Sequence, residues 1–195
     1  HDLPADTDPQ VRADLVAIER GSQRLGDLVR GLQSYALARE QSREPTHVEL
    51  RAIVDRVLAD LRPDLLGVGA DVRVGPLGPV RADPGQLGQV LTALVDNAIR
   101  YRHPDRSLRL SITAERHDEL VVVRVQDNGR GVAPGDQERV FDMFTRLGDS
   151  AGSGVGLALC QRIVEGHGGT IEVLAAEPEG SIFSFSLPMQ AAVRI

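Results

Sequence analysis

Apolar residues recur along this chain in two rhythms, and the changes of rhythm mark its elements. From Val11 to Glu40, apolar or small residues stand at Leu15, Ile18, Ser22, Leu25, Val29, Leu32 and Ala36. This seven-residue repeat predicts one long helix whose stripe needs a partner helix, although Gly21, Gly26 and Gly31 weaken it. The charged stretch 39–45 reads as a linker with a boundary near Glu44, which divides the chain into 1–44 and 45–195. Strands are expected over 47–50, 72–74 and 79–82, with a helix over 51–61. Asp83 and Pro84 suit the N-cap and first turn of a helix with apolar face Leu87, Val90, Leu91, Leu94, Ala98 and Tyr101. Beside that face, Ala93, Asn97 and Arg100 share a stripe at i, i+4 and i+7. Segments 108–115 and 120–125, flanking the polar turn 116–119, read as a hairpin. Beyond a short helical piece after Pro134, Phe141 and Phe144 are expected to anchor a loop to the core. A helix carrying Leu157, Cys160, Ile163, Val164 and His167 stops at Gly168 and Gly169, and strands over 170–175 and 181–187 close the chain as a hairpin.

Composition narrows the chemistry. With 195 residues, 42% hydrophobic and 3% aromatic, the chain suits one domain of ordinary size with an aliphatic core, plus an appendage. A net charge of −6 argues against a nucleic-acid partner. All 22 basic residues are arginine, so the lysine of a P-loop, the strand lysine of a protein kinase and Schiff-base chemistry are all excluded. Cys160 has no second cysteine to pair with and sits on an apolar helix face, as core filler does. The longest apolar run, around Val121 to Val123, is too short for a membrane span and no signal peptide opens the chain, so a cytoplasmic location is expected. The acidic, proline-bearing residues 1–9 read as a loop between helices, which predicts further chain upstream.

Three stretches carry candidate chemistry. Gly152, Ser153, Gly154, Val155, Gly156 and Leu157 feed a helix N-terminus, where unpaired N–H groups and the positive dipole end suit a phosphate. Taken alone, the same spacing serves equally as a connecting loop. A dinucleotide-binding turn would follow a strand directly, whereas 147–151 is polar and loop-like. Asn97, unfavourable inside a helix, is either a tolerated surface residue or an oxygen donor for Mg²⁺. The run Asp127-Asn128-Gly129-Arg130-Gly131 is either an ordinary turn or a place where an ionised aspartate accepts hydrogen bonds from an exocyclic amine such as that of adenine.

In order and spacing, Asn97 with Arg100, D-x-G-x-G at Asp127, Gly129 and Gly131, F-x-x-F at Phe141 and Phe144, and G-x-G-x-G from Gly152 to Gly156 resemble the N, G1, F and G2 boxes of bacterial sensor histidine kinases. The resemblance covers residues 46–188, and N-A-I-R-Y-R-H-P-D at 97–105 with F-T-R-L at 144–147 is most similar to their phytochrome-type branch. It implies an α/β two-layer sandwich, a mixed sheet of about five strands packed on helices, of the gyrase, heat-shock chaperone, histidine kinase and mismatch-repair ATPase superfamily. The long helix would be the second of a dimerisation and phosphotransfer hairpin, forming a homodimer through Val11 to Glu40. Implied cofactors are ATP and Mg²⁺. Asn97 would hold the metal, Arg100 and Tyr101 would face the nucleotide, and Asp127, Gly129, Gly131 and Val132 would form the adenine side. Ser153, Gly154, Val155, Gly156 and Leu157 would wrap the phosphates.

The implied activity is transfer of the ATP γ-phosphoryl group to a histidine on an upstream helix, and thence to a response regulator receiver domain. His1 is not that acceptor, because only a short loop separates it from Val11. Two departures stand out. Ala93 replaces a second asparagine, and 147–151 is short for a nucleotide lid. They sustain an alternative, a catalytically weakened nucleotide-binding module in a protein acting mainly as a response-regulator phosphatase. A hydrolysing clamp of the gyrase kind needs a glutamate where Ala93 stands, and Asp96 lies about 100° around the helix from Asn97.

Overall fold

The computed structural model describes residues 8–37, 44–147 and 154–189. Helix α1 spans Pro9–Leu37, starting two residues before the expected Val11; its expected end at Glu40 and the linker over 39–43 lie outside the described residues. Strand β1 (Thr46–Glu49) leads into helix α2 (Leu50–Asp60). Leu50 was expected to end the strand, but it opens the helix and is completely buried, because the extended Glu49 turns the chain into the core at that point. A short helix α3 (Arg62–Gly67), not foreseen, restarts the chain with Pro63 in its first turn, where a missing N–H is tolerated.

Strands β2 (Asp71–Val74) and β3 (Pro79–Ala82) come next, then helix α4 (Pro84–Arg100). Asp83 caps α4 as its sequence predicts, its Oδ1 accepting from the N–H groups of Gly85 at 2.7 Å and Gln86 at 3.0 Å. Strands β4 (Arg109–His117) and β5 (Leu120–Asp127) form the expected hairpin, and helix α5 (Gly156–Gly166) precedes the closing hairpin of β6 (Ile171–Ala175) and β7 (Ser181–Pro188).

The main sheet runs β2-β4-β5-β7-β6, with β2 parallel to β4 and every other neighbour antiparallel, so it is mixed. Strands β1 and β3 pair separately as a two-stranded antiparallel sheet. Alternation along β4, β5 and β7 sends Leu110, Ile112, Val121, Val123, Val125, Phe183, Phe185 and Leu187 to the buried side. There they meet Ile53, Val54 and Val57 of α2, Val90, Leu91 and Leu94 of α4, and Cys160, Ile163 and Val164 of α5. Burying each such side chain contributes roughly 1.5–3 kcal/mol, which is what holds the helical layer on the sheet. This is the two-layer α/β sandwich expected from sequence.

Helix α1 meets the rest of the described chain near its C-terminal end, where the Arg162 guanidinium of α5 lies 4.5 Å from the centre of the Tyr35 ring. Its apolar stripe stays open to solvent, with Ile18 67% and Leu25 63% exposed. Among the described residues, no helix is long and apolar enough to cross a membrane.

Candidate functional site

Helices α4 and α5 pack against each other in opposite directions, the start of α4 lying at the end of α5 and the end of α4 at the start of α5. At one end, the buried His167 that caps α5 accepts a hydrogen bond on Nε2 from the backbone N–H of Asp83 at 2.9 Å, and its Nδ1 lies 2.8 Å from the Ile163 carbonyl. These contacts require the Nδ1–H tautomer, with Ile163 accepting. Midway, Cys160 Sγ lies 3.8 Å from the Val90 carbonyl; burial pushes that thiol up to about 12, so it is an inert core group. At the other end, the C-terminal turns of α4 face the N-terminus of α5 across a cleft.

The cleft consists of two adjoining cavities. One, of about 120 Å³, is walled by Ala93, Asp96, Asn97 and Arg100 from α4 and by Gly154, Gly156 and Leu157 at the start of α5. The other, of about 140 Å³, runs from Asn97 and Tyr101 to Asp127, Gly131 and Val132, with Leu157 and Phe183 as apolar walls. Asn97, Tyr101, Val140, Thr145 and Leu157 border both. Helix α5 begins at Gly156, so its first N–H groups have no helical partner and lie beside the first cavity.

Asp127 ends β5 and is only 7% exposed. Burial raises its pKa, while the N–H groups of Gly129 and Ser181 and the charge of Arg106 pull it down. Gly129 donates to Asp127 Oδ1 at 2.7 Å and does not itself face the cleft. A Cβ at Gly129 would stand 2.7 Å from the Tyr101 carbonyl oxygen and 2.8 Å from Asp127 Oδ1, so only glycine fits between them.

The structure brings together Asn97, Arg100, Tyr101, Asp127, Gly131, Val132, Gly154, Gly156 and Leu157. Val155 is fully buried and turned away from both cavities, and Ser153, Gly152 and the lid stretch beyond Leu147 lie outside the described residues. The paired phenylalanines need correction. Phe141 is buried, but Phe144 is 57% exposed with φ at 66°, because the helical spacing breaks after a single 3-10 turn over Arg139–Phe141. Its backbone, not its ring, does the anchoring, donating from N–H to the Gly154 carbonyl at 2.8 Å. Gly154 itself has φ at 68°, and a Cβ there would fall 2.7 Å from the Phe144 carbonyl carbon.

Asp96, set aside by the helical-wheel argument, also reaches the first cavity, where its carboxylate holds the Arg100 guanidinium at 2.7 Å. Sequence reasoning missed Thr145, Val140, Arg130 and Ser181 on the cleft walls. Thr145 was visible only as part of F-T-R-L and Arg130 only as a spacer in D-x-G-x-G, while Val140 and Ser181 carried no signal. It also missed Arg106, whose Nε and Nη2 donate to the carbonyls of Asn128 and Gly129 behind Asp127.

Chemically, one end of the cleft offers a buried acceptor between apolar walls, suited to a flat ring with an amino group. The other offers helix N–H groups, a guanidinium and an amide oxygen, suited to a polyanion with its cation. The sequence profile of the histidine kinase-, DNA gyrase B- and HSP90-like ATPases matches residues 82–191. Phytochrome-like protein Cph1 of Synechocystis sp. is 37% identical over 165 residues, 83% of this chain and 22% of that protein. The chain therefore spans about a fifth of that relative's length. Full-length ShkA in complex with AMPPNP superposes with a TM-score of 0.74 at 26% identity, covering 98% of this chain and 41% of that one. Histidine kinase ThkA in complex with the response regulator protein TrrA shares the fold at 22% identity, with a TM-score of 0.71 over all of this chain and 55% of that one.

Proposed function

Because the chain belongs to the histidine kinase-, DNA gyrase B- and HSP90-like ATPase family, we propose that it is the ATP-binding catalytic region of a two-component sensor histidine kinase. Residues 45–195 form the catalytic domain, and 1–44 carry the loop and second helix of a dimerisation and phosphotransfer hairpin. The observation that carries this reading is the polarity of the cleft, with the buried Asp127 at one end and the α5 N-terminus with Asn97 and Arg100 at the other. The AMPPNP complex of ShkA supports it.

Asp127 accepts the adenine amino group, and the base lies between Tyr101, Val132, Leu157 and Phe183. The α5 amides and Arg100 draw the triphosphate to the opposite end. Mg²⁺ fits there, since Asn97 supplies one neutral oxygen and the ion favours phosphate and water for the rest. Among the described residues no cluster of three His, Cys, Asp or Glu offers a competing cage. Bound there, Mg²⁺ neutralises charge on the phosphates. The γ-phosphoryl leaves ADP as its P–O bond breaks, and an N–P bond forms to an imidazole of an upstream helix. The group then passes to an aspartate of a receiver domain. The protein contributes position and field, not a covalent intermediate. The exposed stripe of α1 supports dimerisation with a second copy.

Ala93 favours a second reading. It stands on the wall of the phosphate-side cavity and presents a methyl group in place of a hydrogen-bonding amide. In that reading the domain senses nucleotide in a protein acting mainly as a response-regulator phosphatase. Calorimetric titration of Mg-ATP into the chain and its Asp127→Asn variant, followed by autophosphorylation of the full-length protein with and without Ala93→Asn, separates the two. Phosphohistidine in the parent protein supports the kinase. Its appearance only with Ala93→Asn supports the phosphatase, and absence of Mg-ATP binding sinks both.

A further inference from the structure

The segment between α4 and β4 carries a side chain that joins two turns behind the base-side wall. Arg106 donates from Nε to the Asn128 carbonyl at 2.9 Å and from Nη2 to the Gly129 carbonyl at 3.1 Å, and Nη2 also meets Glu179 Oε2 at 2.9 Å. One planar guanidinium thus ties the turn after Asp127 to the turn before β7. Both ties bear on Asp127, since the N–H of Gly129 donates to its Oδ1 and Ser181, two residues after Glu179, is its partner across the β5–β7 pairing.

Asn128 completes the clamp, its Oδ1 accepting from the Arg109 N–H at 2.7 Å and its Nδ2 donating to the Ser107 carbonyl at 3.1 Å. A lysine has one compact charge and cannot span three acceptors in a plane. A guanidinium bound to two carbonyls and a carboxylate fixes its partners in angle as well as distance. No part of Arg106 lines either cavity of the cleft, so it acts on the ligand through the residues it holds in place.

We propose that Arg106, braced by Glu179, is the positioning residue for base selection: it sets the turn that aims the Asp127 carboxylate at the amino group of the nucleotide base. The inference rests on the ATP reading of the cleft. A merely structural staple would, on removal, weaken every nucleotide alike. An aiming device would weaken only those whose base carries the exocyclic 6-amino group.

The test measures affinities of Mg-ATP and Mg-ITP, which carries a carbonyl in place of the 6-amino group, for the parent chain and for Arg106→Gln, Arg106→Lys and Glu179→Gln. Arg106→Gln is expected to weaken Mg-ATP on the order of tenfold while Mg-ITP changes by less than about twofold, collapsing the preference for adenine. Arg106→Lys should recover only part of that preference. Glu179→Gln should erode it while leaving the guanidinium on its two carbonyls, and it serves as the reporter if Arg106→Gln fails to fold. A preference for ATP that survives in both Arg106→Gln and Glu179→Gln, or an equal loss of both nucleotides, overturns the proposal. A parent chain that binds neither nucleotide overturns the ATP reading itself, and this inference with it.

Discussion

Replacing Gly129 with alanine tests how the base-side wall is built. Its new Cβ would stand 2.7 Å from the Tyr101 carbonyl oxygen and 2.8 Å from Asp127 Oδ1, whereas ordinary contact begins at 3.4 Å. Neither oxygen is free to retreat by the roughly 0.7 Å this demands. The Tyr101 carbonyl already accepts from the Arg130 N–H at 3.1 Å, and Asp127 Oδ1 is held by the Gly129 N–H at 2.7 Å. Overpacking of this kind costs about 1–3 kcal/mol, and a strained or broken hydrogen bond to a buried carboxylate about 1.5 kcal/mol more. Stiffening of the unfolded chain returns about 0.4–1 kcal/mol. The net expectation is a loss of about 1.5–4 kcal/mol, read from the denaturant midpoint, together with a Mg-ATP affinity at least about tenfold weaker. Gly135→Ala is the control, because a Cβ there meets nothing within 4 Å. A Gly129→Ala protein as stable as the control and binding Mg-ATP like the parent would refute the reasoning.

Three further outcomes follow from the same structure. Burial raises the pKa of Asp127, so the stability it contributes is full below its unfolded value and is lost as pH rises through the folded one. Asp127→Asn should therefore be at least as stable as the parent at neutral pH, with a lead that shrinks on acidification, while Mg-ATP binding is lost; thermal melts across pH decide this, and a variant less stable at pH 7 counts against it. Cys160, buried with its thiol pushed up to about 12, should resist alkylation in the native state at pH 8 and react only as fast as the protein unfolds, measured by mass shift over time. His167→Ala deletes the acceptor for the Asp83 N–H and the donor to the Ile163 carbonyl, and should lower stability by about 2–4 kcal/mol in urea titrations.

What could be read ahead from sequence was whatever depends on neighbours in the chain. Asp83 followed by Pro84 announces a capped helix, and the cap is there. The apolar run from Leu120 to Val125 announces a strand, and Val121, Val123 and Val125 are its buried side. What escaped depends on partners far away or on a local break of period. Arg106 reaches Asn128, 22 positions on, and nothing in its surroundings signals that reach. Phe144 follows Phe141 at helical spacing, yet the chain leaves the turn through a positive φ and the second ring swings outward. The parallel pairing of β2 with β4, and the separate β1–β3 ribbon, are long-range choices of the same sort. On the candidate site, the residues on α4 and the glycines before α5 were legible because a helix converts spacing into direction. The walls contributed by Val140, Thr145 and Ser181 were not.

The tie between His167 and Asp83 makes a pair of tongs out of α4 and α5. It pins the rear of both arms, whereas the jaws, Asn97 and Arg100 on one side and Gly156 and Leu157 on the other, open at the front. Seventeen residues of α4 make an arm of about 25 Å. A small rotation at the pin is thus magnified at the tips, so lesions at the rear should alter how long a ligand is gripped while leaving every gripping atom in place. A genetic screen for lost nucleotide retention would return His167 beside Asn97. Anyone grafting these jaws onto another scaffold must bring the rivet too.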